Sequence, residues 1–155
     1  MLEPRQIQSA PQTLDLSQAL FRELSGFVVG ERLGGGQYRT VYACAFDPRL
    51  VVKVEEHITG RFCNVDEWNL WNAVRERPEI ARWFAPVRFI SASGNFLIQD
   101  RTQPITRLPR QVPNFMADIR TENMGKLKGR PVFHDFANTL IDAMTMKRFK
   151  LVDRL

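Results

Sequence analysis

Leu33-Gly34-Gly35-Gly36-Gln37-Tyr38-Arg39-Thr40-Val41-Tyr42 decides how the rest of the chain is read. The glycine triplet separates two strand-like runs, 27–33 and 40–46, so it reads as a hairpin tip. Glycine reaches positive φ without strain and has no Cβ, so backbone N–H groups at such a tip can approach a polyanion closely. Taken alone, the triplet reads equally as a plain flexible turn. After the turn Asp47-Pro48-Arg49, residues 50–54 read as a third strand. Lys53 lies inside it, in Val51-Val52-Lys53-Val54. Facing inward, it needs an anionic partner, because a lone buried ammonium is unfavourable. On an edge or a solvent face it needs none.

Upstream, residues 1–13 carry Pro4, Pro11 and several Gln and Ser without periodicity, and a flexible tail is expected there. Leu16, Leu20, Phe21 and Leu24 follow helical spacing and predict a short amphipathic helix over 14–24, packed on the body of the fold. Downstream, Asn64 reads as a helix N-cap with Glu67 in capping-box position. Val65, Trp68, Leu70 or Trp71, and Val74 form the apolar face of that helix, which Pro78 stops. Residues 87–92 and 95–99 predict a hairpin around Ser93-Gly94. A connection containing Pro104, Pro109 and Pro113 follows, then a hairpin turning near Lys128-Gly129 and a helix from 138 onward. The order predicts an α+β fold with a mostly antiparallel sheet.

Two further stretches carry chemistry: Asp118-Ile119-Arg120-Thr121-Glu122-Asn123 and His134-Asp135-Phe136-Ala137. If the hairpin turns at Lys128-Gly129, Asn123 and Asp135 sit side by side at its open ends. An amide and a carboxylate oxygen so placed suit one Mg²⁺, which takes few protein ligands and keeps phosphate oxygens and water.

Together, the three stretches resemble the glycine-rich loop, the catalytic loop and the Asp-Phe-Gly segment of protein kinases. The resemblance covers residues 26–137, well in the first half and as a skeleton in the second. It implies a protein-kinase-like domain over 14–155. That domain would have an antiparallel sheet lobe with one helix at 14–100 and a strongly reduced second lobe at 101–155. The implied cofactors are ATP and Mg²⁺, and the implied activity is transfer of the γ-phosphate to a Ser or Thr hydroxyl of a protein. Gly34, Gly35 and Gly36 would cradle phosphate, and Val41 would cover the adenine. Lys53 would hold the α- and β-phosphates, paired with Glu67, unless Glu67 only caps its helix. Asp118 would accept or orient the acceptor hydroxyl, with Arg120 touching the transferred phosphate. Asn123 and Asp135 would hold metal, and Phe136 would pack beneath the helix of Glu67.

The departures are specific. Arg39 replaces the family's third glycine, where its guanidinium would either grip phosphate or obstruct it. Met116-Ala117 replaces the His-Arg before the catalytic Asp, and Ala137 replaces the last Gly of Asp-Phe-Gly. The stretch between Gln99-Asp100 and Asp118 is too short for the family's usual helices. Aminoglycoside and choline kinases share some of these motifs, but their substrate pockets use a large helical lobe for which the chain has little room. Retention of Lys53, Asp118, Asn123 and Asp135 favours catalysis, whereas the reduced second lobe favours a pseudokinase-like module that inhibits or scaffolds a partner protein.

Composition is compatible with either reading. The 155 residues include 11 Phe and 3 Trp, enough for a real core. Cys44 and Cys63 lack metal-ligand spacing and read as reduced core residues of a cytoplasmic protein. No secretory signal or membrane span is expected. The net charge of +5 permits an anionic partner. The basic runs at Lys126, Lys128 and Arg130 and at Lys147, Arg148 and Lys150 have no interleaved aromatic platform, which speaks against nucleic acid. His57 and His134 lack partners at metal-site spacing, and His134 is expected in the core or behind the site.

Overall fold

The computed structural model describes residues 16–55, 60, 62–139 and 141–154. The tail expected at 1–13 and His57 lie outside them. The fold is α+β with antiparallel sheets. Helix α1 (Leu16–Val28) runs directly into β1 (Val29–Gly35), then β2 (Arg39–Cys44) and β3 (Leu50–Glu55). Phe27, expected to open a strand, belongs instead to the last turn of α1, where it and Leu24 stand exposed. Helix α2 (Cys63–Val74) and the short α3 (Pro78–Ala81) precede the hairpin β4 (Val87–Ile90) and β5 (Phe96–Asp100). The five strands form one sheet ordered β1-β2-β3-β5-β4. β-Branched Val51, Val52 and Val54 suit the inner strand β3, and strand alternation puts Val51, Lys53 and Glu55 on one face.

Beyond Asp100 the elements are short: β6 (Gln103–Pro104), β7 (Gln111–Pro113), a 3₁₀ turn (Thr121–Asn123), β8 (Met124–Leu127) and β9 (Arg130–Phe133). The β8–β9 hairpin turns at Lys128 and Gly129, whose φ values of 48° and 80° place both in the left-handed region favoured by tight two-residue hairpin turns. β6 lies beside β8 so closely that a Cβ on Gly125 would strike the Thr102 side chain. The C-terminal helix expected from 138 is largely replaced. Among the described residues there, only α4 (Ala143–Lys147) is helical, started by an Asp142–Thr145 capping box, and β10 (Leu151–Asp153) then pairs antiparallel with β7.

One apolar core joins the two halves. Leu70, Val74, Ile80, Phe84, Val87 and Leu97 come from the first; Val112, Met116, Met124, Phe133 and Phe136 come from the second. Phe84 meets Phe136 edge-on at 4.9 Å between centroids, an arrangement favoured by the ring quadrupoles. A parallel bridge links Phe84 with Phe133, its hydrogen bonds running from Phe133 N–H to the Trp83 carbonyl (2.7 Å) and from Ala85 N–H to the Phe133 carbonyl (2.8 Å).

Candidate functional site

A cleft of about 850 Å³ lies where the glycine hairpin, β3 and the β8–β9 hairpin face one another. Gly34, Gly35, Gly36, Val41, Lys53, Asp118, Arg120, Asn123 and Asp135 all line it. Glu67 stands behind it, fully buried in α2. At the hairpin, Gly34 pairs with Val41 and Gly35 with Thr40. Among the three glycines, only Gly35 is crowded, where a Cβ would press on Arg32 and the Arg39 carbonyl. None of them takes a positive φ, although the sequence allowed it.

The helix start differs from the expected capping box. Asn64 lies inside α2, Phe62 is its N-cap, and no side chain of the cap residue closes the turn. The first N–H groups of a helix lack intrahelical partners, and the Glu55 carboxylate on β3 supplies them, accepting from Cys63 and Asn64 N–H at 2.8 Å each. A negative group there also suits the helix dipole. The buried Asn64 amide is thereby released to donate to the carbonyls of Gly94 (3.0 Å) and Asn95 (3.1 Å), tying α2 to the β4–β5 hairpin.

With the cap supplied elsewhere, Glu67 turns inward. One carboxylate oxygen accepts from Lys53 Nζ at 2.7 Å; the other accepts from Arg39 Nη2 (2.9 Å) and from Phe136 N–H (3.0 Å). Lys53 also donates to the His134 carbonyl and stands 5.9 Å from the Phe136 ring centre. Burial opposes the Glu67 charge, but the Arg39 and Lys53 cations more than offset it and hold the carboxyl at about 2, from an ordinary 4.5. Burial, aided by the Arg39 charge, lowers the Lys53 ammonium, with Glu67 opposing.

In the sequence Arg39 stands where the family has a glycine, with a guanidinium expected to grip phosphate or obstruct it; its carboxylate partners were not expected. Its side chain is 8% exposed, and Nη2 bridges Glu67 and Asp135, the latter at 2.7 Å. Its Nη1 lies 3.5 Å from Asn64 Oδ1. Burial works against its charge, but Glu67 and Asp135 raise its pKa above that of an ordinary arginine. The sequence signal was a long cation opening an otherwise apolar, β-branched strand.

At the open ends of the β8–β9 hairpin, His134 N–H and Asp135 N–H both donate to the Asn123 carbonyl, at 2.9 and 3.2 Å. Asn123 is buried and donates its amide to the Asp118 carbonyl at 3.0 Å. The Asp118 carboxylate accepts from Arg120 at 2.7 Å, which holds it below the usual carboxylate range. His134, expected in the core or behind the site, lines the cleft, its ring nitrogens bonded to Thr102 Oγ1 (2.7 Å) and the Glu122 carbonyl (2.8 Å); burial, then the Lys53 charge, lowers its pKa. Arg101 and Thr102 also line the cleft without any motif in their sequence neighbourhood, and Glu122 lines it from within the Asp118–Asn123 stretch. Cys44 and Cys63 are buried free thiols. Among the described residues no helix is long and apolar enough to cross a membrane, and no group of three or more His, Cys, Asp or Glu side chains is placed to hold a metal.

No family model and no curated protein matches the sequence. Among solved structures the chain is distantly and partially similar to APH(2")-IIa. Its ternary complex with streptomycin and ATP matches with a TM-score of 0.42 and 18% identity, over 57% of this chain and 29% of that one. Its gentamicin complex matches with a TM-score of 0.43 and 18% identity, over 58% of this chain and 29% of that one. The chain therefore spans less than a third of the length of these structures.

Proposed function

We propose that the chain is a compact protein-kinase-like phosphotransferase that takes the γ-phosphate of ATP to a Ser or Thr hydroxyl of a protein. The observation that supports this most is the convergence of the glycine hairpin, the Lys53–Glu67 pair and Asp118, Asn123 and Asp135 on one cleft. In this reading the hairpin backbone and Lys53 hold the phosphates, and Val41 covers the base. Asp118 accepts the hydroxyl proton as the hydroxyl oxygen bonds to the γ-phosphorus and the β–γ bridging bond breaks, releasing ADP. Arg120 stabilises charge on the transferring group.

Asn123 and Asp135 are donors of the type Mg²⁺ takes, but Asp135 Oδ1 already carries the Arg39 guanidinium at 2.7 Å. A dication there would sit against a fixed positive charge, so the arrangement does not fit Mg²⁺ as it stands. Among the described residues, the cations lining the cleft are Arg39, Lys53, Arg101 and Arg120, of which Arg39, Lys53 and Arg120 are each set against a carboxylate.

The test is incubation with γ-labelled ATP and protein acceptors, with and without Mg²⁺, for the wild type and Asp118→Asn. Asp118→Asn should keep ATP affinity and lower transfer by ~10²–10⁴-fold, the scale of a positioned acid–base group. Equal transfer by both proteins would remove Asp118 from the chemistry. A second reading, a nucleotide-binding module that inhibits or scaffolds a partner protein, is favoured by the arginine held by each acid, Asp118–Arg120 and Asp135–Arg39. It gains support if neither protein transfers label and both bind ATP equally.

A further inference from the structure

We infer that Arg39 is a resident cation at Asp135, and that the cleft accordingly binds the polyphosphate of a nucleotide without a divalent metal. The inference rests on the reading of the cleft as a nucleotide site, and concerns what balances charge within it.

Four charged groups meet at the back of the cleft: Arg39 and Lys53, Glu67 and Asp135. Two cations and two anions leave the cluster neutral with no ion added. Without Arg39, Glu67 would still be matched by Lys53, and Asp135 alone would lack a counter-charge on this side. The guanidinium is thus the group that answers Asp135, at 2.7 Å.

It is also fixed in place. Arg39 opens β2, is held in the sheet opposite Glu55, and is 9% exposed as a residue. Its other contacts, Glu67 at 2.9 Å and Asn64 Oδ1 at 3.5 Å, hold it there independently of Asp135. A dication at the half-exposed Asp135 would meet that fixed positive charge at short range. An incoming anion meets the opposite situation. Asp135 is already neutralised, and Arg101 lines the same cleft together with Lys53 and Arg120, each of these two set against a carboxylate of its own. Arginine suits this role because it stays protonated and makes planar, multiple contacts with oxyanions. Gly34 and Gly36, with open space where a Cβ would stand, leave the hairpin tip clear for phosphate.

The experiment measures ATP binding to the full chain by calorimetry in excess EDTA and in excess Mg²⁺. Wild type is expected to bind with affinities that agree within about threefold, since the positive charge at Asp135 is built in. Arg39→Gly should lose about tenfold or more in EDTA and recover with Mg²⁺, while Arg39→Lys, which keeps the charge, should behave nearer wild type. The wild-type comparison stands even if Arg39→Gly does not fold. A fall of about tenfold or more for wild type in EDTA would overturn the inference and leave the nucleotide reading intact. Absence of ATP binding under both conditions would overturn both.

Discussion

At the back of the cleft, Lys53 and Glu67 meet at 2.7 Å with side chains 4% and 0% exposed; at its rim, Arg120 and Asp118 meet at the same 2.7 Å with side chains 63% and 38% exposed. Equal distances conceal unequal energetics. The inner pair has lost its water, so each charge depends on its protein partners, and removing one strands the others. The outer pair can exchange its partner for solvent at little penalty. The inner corner is therefore a fixed part of the fold, whereas Asp118 and Arg120 are free to rearrange around an incoming group.

The sharpest way to break this contrast is Glu67→Ala. It removes the acceptor of Lys53, Arg39 and Phe136 N–H together and should destabilise the chain by about 3–5 kcal/mol in urea unfolding. A loss below about 1 kcal/mol would place the inner corner in the same class as the rim.

Acid titration should give an intermediate effect. The folded Glu67 carboxyl is lowered to about 2 from 4.5, so its stabilisation is present above 4.5 and is lost as the pH falls toward 2. The melting temperature should drop across that window, and Glu67→Gln should flatten the drop. Asp118 is lowered in the same direction by Arg120, but its exposure discounts its share. An unchanged acid profile in Glu67→Gln would assign the loss to other carboxyls.

Arg120→Ala should have the smallest effect, leaving the urea unfolding midpoint at the wild-type value. A lowered midpoint would make the rim pair structural and undo the distinction.

Much of the sheet was readable because its signals are local. β-Branched runs, the Asp47-Pro48-Arg49 turn and the Lys128-Gly129 turn act over a few residues, and the strands fall close to where they were expected. Which face Lys53 takes was left open by the sequence, and the sheet sets it on one face with Val51 and Glu55. Asn64 was misread because a capping box is a local pattern, whereas the α2 amides are served by Glu55 of β3, eight and nine residues earlier. The missing C-terminal helix has the same origin: β10 exists through its pairing with β7, about forty residues earlier, and local helical preference was outweighed. Arg39 was visible as an exception, but its two carboxylate partners are 28 and 96 residues away, and only folding brings them together.

The Phe84–Phe133 bridge has a mechanical consequence. Two backbone hydrogen bonds and a shared aromatic cluster fasten the sheet half to the hairpin half, so the halves are riveted rather than joined by a free-swinging link. A ligand entering the cleft then meets a clamp with one stationary arm, and the compliance needed to admit it falls mainly on the β1–β2 tip. That tip is where Gly34 and Gly36 have room to move, and where the strand carrying Arg39 begins.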